Sequence, residues 1–378
     1  MKKENKSRPL KVAIIGTRGI PACYGGFETF AEELSLRLVE RGHEVTVYGR
    51  SNIIHYPEPF YKGVRLVILP TISHKYFDTV VHTFISMLHA MFRDYQVILL
   101  CNAANSLFSF IPRLTGKKVL INVDGIERMR AKWNAVGKLW YRMGEIGACI
   151  FPNVAISDAL VIEHYYKETY GKDTVFIPYG AETEKARTRA ALDAFGLVPE
   201  DYFLYVSRLE PENNAHLVIK AFEKVKTEKK LVIVGDAPYS EEYIKNLKST
   251  RDPRIIFTGF VFGDGYKELQ SHAYVYIHAT SVGGTHPALI ESMGFGNCVI
   301  VNGTPENREV VRDAAVIFDE NSETSLQEKL QMATDGGISV TEYREKARKM
   351  IEENYTWDKV TTSYEELFRK TLGKGKRK

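Results

Sequence analysis

VAIIGTRGIPACYGGFETFAEELSLRLVERGHEVTVY, residues 12–48, decides the fold class. It opens on an uninterrupted apolar run at 12–15, the pattern of a strand buried on both faces. Gly16-Thr17-Arg18-Gly19 breaks that run, and Gly25-Gly26 follows shortly after. Over 27–41 the apolar residues Phe30, Leu34, Leu38 and Val39 recur at roughly helical spacing. Gly42 ends the helix, and 44–48 reads as the next strand. Strand, glycine-bearing loop, helix and strand make a βαβ unit, as in a doubly wound domain.

The alternation continues outward from there. Strands are expected at 64–69, 97–101, 119–123, 154–156 and 175–178, with helices between them, notably at 80–93 and 135–149. The pattern then restarts. Strands at 202–206, 230–234, 255–257, 274–277 and 299–302 alternate with helices at 215–225, 241–249, 266–271 and 288–293. Two late helices, 341–355 and 359–372, flank Trp357. Two α/β halves are expected, each a parallel sheet covered on both faces, with a hinge near 179–185. The length of 378 residues fits two domains.

Composition excludes some classes. Hydrophobic residues make up 44% and charged residues 26%, as in an ordinary globular protein. The net charge of +4 is close to balance and no basic stripe runs through the halves, which argues against a nucleic-acid partner. Basic residues gather at the ends instead: Lys2, Lys3, Lys6 and Arg8, then Lys374, Lys376, Arg377 and Lys378. Such tails are solvated or are drawn to anionic lipid, by about 1 kcal/mol per residue near the surface. The first residues do not read as a secretory leader, and no apolar run reaches about 18 residues. The expected location is cytoplasmic, with peripheral attachment to the inner face of the cell membrane as a second expectation. Cys23, Cys101, Cys149 and Cys298 form no C-x-x-C pair, so neither zinc nor redox chemistry is indicated.

Three loops carry candidate chemistry. The first, Gly16 to Gly26, lacks the G-x-G-x-x-G spacing of a dinucleotide site. Its Arg18 and Tyr24, with Glu28 at the helix start, are candidate ligand contacts, although a carboxylate there also suits the macrodipole. The second, Ser207 to Asn214, leaves a strand end with Arg208 placed to fork onto a diphosphate. The third runs Gly283-Gly284-Thr285-His286-Pro287-Ala288-Leu289 into a helix carrying Glu291. Thr285 is the expected N-cap and Pro287 suits a first turn. Free N–H groups there suit a phosphate, and Glu291 a ribose hydroxyl. The stretch 128–141 mixes Arg128, Arg130, Lys132 and Lys138 with Met129, Trp133, Trp140 and Tyr141, which fits either a membrane interface or a helix packed on the sheet.

Together these pieces resemble a family 4 glycosyltransferase of the GT-B fold. The matching segments are the Gly25-Gly26 loop, RGHEV at 41–45, Ser207-Arg208-Leu209, GGTHPALIESMGFGNCVIV at 283–301, and Tyr355-Thr356-Trp357. GTRGIPACYGGFET at 16–29 and VDGIERMRAKW at 123–133 resemble a bacterial branch that includes rhamnosyltransferases of capsule and cell-wall polysaccharide assembly. The resemblance implies an α/β protein of two Rossmann-like doubly wound domains facing a central cleft. An acceptor domain would cover 1–182 and a donor domain 183–355, with a helix over 356–378 crossing back to the first. It implies transfer of a sugar from a nucleotide diphosphate-sugar, with retention of configuration, no cofactor and no obligatory metal. The donor site would comprise Gly25, Gly26, Arg208, Asn213, Glu291 and the residues from Gly283 to Leu289. Asp124, Arg208 and Glu291 are the catalytic candidates, and Arg18, Tyr24, Glu28 and Arg130 lie on the acceptor side.

Three departures from the family pattern stand out. Gly283 occupies the first position of the usual Glu-x7-Glu pair, whose first carboxylate contacts sugar hydroxyls. Asn213 stands where a lysine usually accompanies the diphosphate arginine. Asp124 takes the place of a histidine near the donor sugar, and His286 is placed to compensate in part. A 6-deoxy sugar presents one hydroxyl fewer, so dTDP-rhamnose is the expected donor, with UDP-hexoses next. The expected acceptor is a lipid-linked or growing surface polysaccharide. A sugar-nucleotide epimerase and a non-enzymatic nucleotide-sugar binder are the alternatives. The first would turn over donor without acceptor and the second would not turn it over at all.

Overall fold

The computed structural model describes residues 8–23, 25–74, 77–129, 133–237 and 240–373. Tyr24, Arg130 and Lys132, and the basic residues of both tails apart from Arg8, lie outside the described residues. The chain divides into two compact units. One takes residues 8–128, 133–178 and 357–373, and the other is built on Tyr179–Thr356. The division thus falls just after Pro178 rather than at 182.

The first unit contains β1 (Lys11–Ile15), α1 (Gly26–Glu40), β2 (Glu44–Arg50), β3 (Phe60–Tyr61), β4 (Val64–Leu69), α2 (Phe77–Met91), β5 (Val97–Cys101), α3 (Phe110–Arg113), β6 (Lys118–Asn122), α4 (Ala135–Ile150), β7 (Val154–Ser157), α5 (Leu160–Tyr170) and β8 (Val175–Phe176). Its eight strands run in the order β3-β4-β2-β1-β5-β6-β7-β8. Among the described residues only the β3–β4 pairing is antiparallel. β1 lies inside the sheet between β2 and β5, so Val12 to Ile15 are buried with helices above and below. Phe30, Leu34 and Leu38 of α1 are buried at i, i+4 and i+8, the apolar stripe of an amphipathic helix.

The second unit restarts with α6 (Ala190–Ala194), β9 (Tyr202–Val206), α7 (Ala215–Glu223), β10 (Lys230–Val234), α8 (Glu241–Leu247), β11 (Ile255–Gly259), α9 (Gly263–Ser271), β12 (Val275–His278), α10 (Pro287–Gly294), β13 (Cys298–Asn302), α11 (Pro305–Val311), β14 (Val316–Phe318), α12 (Glu323–Thr334) and α13 (Val340–Asn354). Its six parallel strands run β11-β10-β9-β12-β13-β14. Phe203, Tyr205, Leu231, Ile233, Val275, Ile277 and Ile300 pack with Val218 and Phe222 of α7 in one buried cluster.

The closing helix, α14 (Trp357–Gly373), belongs to the first unit. Its Tyr364 and Trp357 rings lie 5.3 and 6.4 Å from Phe30 of α1. Arg41, just past α1, donates to the Asp358 carbonyl at 3.1 Å and to Thr362 Oγ1 at 3.0 Å. Each of these buried aromatics contributes about 1.5–3 kcal/mol by leaving water. Among the described residues no helix is long and apolar enough to cross a membrane.

Candidate donor site

The strand order of the second unit fixes where a ligand can enter. β9 and β12 are neighbours, yet the chain leaves β9 toward β10 and leaves β12 toward β13 on the opposite side. Loops beyond the two strand ends therefore diverge and leave a crevice, the usual ligand position in an open parallel sheet. Ser207–Asn214 follows β9, and Ala279–His286 follows β12. Two of the loops singled out in the sequence thus meet at this switch point.

Hydrogen bonds tie them together. Asn214 Nδ2 donates to the Ala279 carbonyl at 2.9 Å, and Ser281 donates to the Glu212 carbonyl through its N–H at 3.0 Å and its hydroxyl at 2.8 Å. Asn302 and Asn307, both buried, donate to the Ala279 and Thr280 carbonyls at 3.1 and 3.2 Å. Gly235, at the exit of β10, has φ +131°, and a Cβ there would sit 1.9 Å from the Ser207 carbonyl oxygen. Only glycine lets β10 leave so close to the arginine loop. Asp236 and Ala237 continue from it into an open hollow of about 700 Å³, also lined by Glu241, Lys245, Lys248 and Phe260.

Arg208 is half-buried, with its guanidinium 3.9 Å from a Glu210 oxygen. Asn213 is buried, and its amide donates to the Arg208 carbonyl at 2.7 Å. It braces the arginine's turn and does not stand beside it as a second polar head. Glu291 is oriented by a residue the sequence reading missed: Tyr266 of α9 donates to its Oε2 at 2.6 Å, with Gln270 behind the phenol at 3.0 Å. Burial, and then the Glu291 charge, push the Tyr266 phenol well above its ordinary range, so it stays a proton donor.

The turn before α10 corrects two expectations. The N-cap is His286, not Thr285, and its side chain makes no capping bond; Pro287 stands in the first turn. Thr285 is buried one residue outside the cap position, because the helix begins later than its preference predicts. Leu289 is wholly buried, and its N–H donates to the His286 carbonyl at 3.0 Å. Leu289 therefore closes the first helical turn and has no N–H to offer a phosphate. Gly284 is buried, while Ala288 is half-buried at the turn.

In the first unit, Glu28 is buried and its Oε1 accepts the Arg18 N–H at 2.9 Å, so this carboxylate holds the loop after β1. Gly25 is the N-cap of α1, with φ −167°, an extended conformation that any residue adopts, and Gly26 begins the helix. Burial, then Glu28, raises the Cys23 thiol above its ordinary pKa, which keeps it protonated. Asp124 is half-buried just past β6, in the left-handed region at φ +58°, with its N–H on Asn122 Oδ1 at 3.0 Å. Arg128 does not join an exposed basic face. It bonds Glu145 at 3.1 Å and Tyr165 at 2.8 Å, around a carboxylate that Tyr165 and Tyr170 also grip.

The chain resembles known proteins over most of its length. The family described as glycosyl transferases group 1 matches residues 193–356, which contain both switch-point loops. A domain family of unknown function matches residues 10–59 and 89–182. The O-antigen chain mannosyltransferase B of Escherichia coli is 21% identical over 179 residues, 45% of this chain and 46% of that protein. The match therefore spans less than half of that relative. Sucrose-phosphate synthase from Thermosynechococcus elongatus superposes with a TM-score of 0.81 at 15% identity, over 96% of this chain and 99% of that one. HepE from Anabaena, solved in complex with UDP, superposes at 0.74 with 14% identity, over 96% and 100%. The catalytic domain of starch synthase IV from Arabidopsis thaliana, bound to ADP and acarbose, gives 0.73 at 12% identity, over 97% and 100%. The chain has the GT-B fold, and its residues 193–356 match the family described as glycosyl transferases group 1.

Proposed function

We propose that this chain transfers a sugar from a nucleotide diphosphate-sugar to a lipid-linked or growing surface polysaccharide, with retention and without an obligatory metal. The observation that carries the reading is the joining of the Arg208 loop to the loop that leads from β12 into Gly283–Glu291, at the switch point of one parallel sheet. A guanidinium and the dipole of α10 both favour a developing diphosphate charge on the leaving group. Glu291, aligned by Tyr266, is suited to a ribose hydroxyl. L-Rhamnose from dTDP-rhamnose is the donor we favour, with UDP-hexoses as the alternative. Relatives support the class of chemistry: HepE is solved with UDP-glucose, and the partial match is to an O-antigen mannosyltransferase.

The acceptor is proposed to reach the enzyme at a membrane, from the cytoplasmic side. Supporting this, Val136, Leu139, Met143, Ile146 and Ile150 form one stripe of α4 and are 40–72% exposed. Lys138 and Arg142, also exposed, flank it. The sequence points to the mixed basic and aromatic stretch 128–141 as the interface, yet Trp133 packs on Tyr141 and its indole N–H is buried. The aliphatic stripe is the better candidate, with an anionic bilayer as its partner.

The test is a thermal-shift screen with UDP-, GDP- and dTDP-sugars in the presence of EDTA, repeated on Arg208→Ala. A native-state ligand raises the melting temperature by mass action. A shift with one sugar nucleotide that is lost in Arg208→Ala supports the proposal. No shift with any of them, or a shift only when a divalent ion is restored, overturns the donor or the metal-free part respectively. Donor consumption that needs no acceptor would point to the epimerase reading instead.

A further inference from the structure

The departure at Gly283 has a physical counterpart. A Cβ built at this position would lie 2.4 Å from Cε1 of the His286 ring, with both ring nitrogens within 3.3 Å. The imidazole fills the space beside Gly283, whose φ of +154° independently favours glycine. His286 does not cap its own helix, because its side chain makes no capping bond.

Beside the ring is a second imidazole. His278 ends β12 at the switch point, and its centroid is 4.8 Å from that of His286 at an interplanar angle of 50°. Tyr276 also stacks on His278, at 6.3 Å. His278 is 3% exposed, and its Nε2 has no hydrogen-bond partner. Buried polar atoms in native proteins are nearly always paired, so an orphan at a strand end in a ligand crevice marks a group that a ligand or a bound water completes. Burial, and then His286, hold the His278 imidazole well below its ordinary pKa, so it is neutral.

We infer that His286 takes over the sugar-hydroxyl contact that Gly283 cannot make, and that His278 is the positioning residue that holds the His286 ring for it. The inference rests on the nucleotide-sugar reading above. A carboxylate only accepts hydrogen bonds. An imidazole can offer both an N–H donor and an acceptor nitrogen, which matches a hydroxyl in both directions. The pocket thereby changes from one that accepts from a hydroxyl to one that can also donate to it. The chemical class read is a hydroxyl of the transferred sugar, not the diphosphate, which is left to Arg208.

Calorimetric titration of the full chain with UDP and dTDP, then with UDP-glucose, dTDP-glucose and dTDP-rhamnose, tests this. In the unsubstituted protein the best sugar nucleotide binds more tightly than its parent diphosphate. His286→Ala and His278→Leu are expected to leave diphosphate affinity within about twofold and to weaken the sugar nucleotide about tenfold or more. His278→Asn, which restores a polar side chain, recovers part of the loss if His278 positions His286. Gly283→Ala, whose added Cβ displaces the His286 ring and strains the backbone at φ +154°, should likewise weaken the sugar nucleotide more than the diphosphate. Equal weakening of diphosphate and sugar nucleotide, or no weakening of either, overturns the inference. If the unsubstituted protein binds no diphosphate or sugar nucleotide at all, the donor reading itself has failed.

Discussion

Asn122 and Tyr364 stand 242 positions apart and are hydrogen-bonded at 3.0 Å, amide to phenol, inside the first unit. The other atom of the same amide, Oδ1, accepts the N–H of Asp124. The closing helix therefore bears on the turn that presents the catalytic candidate. Tyr364→Phe leaves a buried amide hydrogen without its acceptor, and should destabilise the first unit by about 1–3 kcal/mol. Calorimetry on the full chain reads this as a lower melting temperature. An unchanged melting temperature would mean that water replaces the phenol and that the link carries no energy.

Asp124 offers a clean separation of charge from shape. Its backbone sits at φ +58°, a conformation that asparagine tolerates as well as aspartate does. Asp124→Asn therefore keeps the turn and removes only the carboxylate charge. If that charge acts in the reaction, turnover should fall by about 100-fold while the donor KM moves by less than about threefold. Asp124→Gly keeps the backbone as well and should lose turnover equally. Normal turnover in Asp124→Asn would reduce Asp124 to a turn residue.

Gly235 gives a prediction on the donor loop. A methyl group there meets the Ser207 carbonyl at 1.9 Å, so Gly235→Ala must push β10's exit away from the Arg208 turn. Diphosphate affinity, measured by titration, should drop about tenfold or more, with the overall circular dichroism spectrum retained. Unaltered affinity would show that the arginine loop does not contribute to holding the diphosphate.

The parallel strands were legible because burial on both faces writes them as unbroken apolar runs. β9 and β10 were read to the residue, at 202–206 and 230–234. α5 was not read. It buries only Ile162 and Tyr166, and its N-cap is Ala159, so it has neither a broad apolar face nor a capping signal. β14 is three residues long, too short for periodicity. The Arg208 and Gly283 loops were legible as glycine and arginine at strand ends. Their supports were not: Tyr266 lies 25 positions from Glu291, and Asn302 and Asn307 act on a loop more than 20 positions earlier. Arg128 looked like a free surface cation because its partner Glu145 is one of many acidic residues in the sequence. Gly235 was within reach, since it follows an apolar run directly.

Acid should weaken the first unit through His82. This imidazole is fully buried on α2, with Nε2 3.0 Å from the Gly49 carbonyl, which makes Nε2 the donor. Burial, and then Arg50, lower its pKa from 6.5 to about 4. The folded state thus binds fewer protons than the unfolded state between these values, so stability rises with pH there. The neutral-pH contribution is intact above about 6.5, falls as the pH drops, and is lost by about 4, a change on the order of 3 kcal/mol. His82→Gln keeps an N–H for Gly49 but cannot titrate, and should flatten stability across this window in urea melts at stepped pH. An equally steep profile in the variant would assign the acid sensitivity to other groups, with His43 of the first unit, also lowered by burial, the next to test.

The stripe on α4 sets a final expectation. Its members fall at steps of three and four residues, one face of a helix whose opposite side presses Gly144 and Gly147 against Ala103 and Ser106. Phe110 and Leu114, exposed around α3, extend the apolar surface, because Phe110 packs on Phe151 at the end of α4 and Arg113 donates to the Phe151 carbonyl. Glu145 is turned inward onto Arg128, so the exposed charges of α4 are the cations Lys138 and Arg142. An apolar stripe flanked by cations suits an anionic bilayer, where binding follows buried apolar area plus attraction to the headgroups. Leu139→Glu with Ile146→Glu places two carboxylates in the stripe without touching the core. Flotation with phosphatidylglycerol-containing vesicles at low salt should recover the unsubstituted chain and lose this variant by about tenfold, while thermal shifts with sugar nucleotides stay unchanged. Equal flotation of both proteins, or flotation of neither, would remove the membrane from the role proposed for this face.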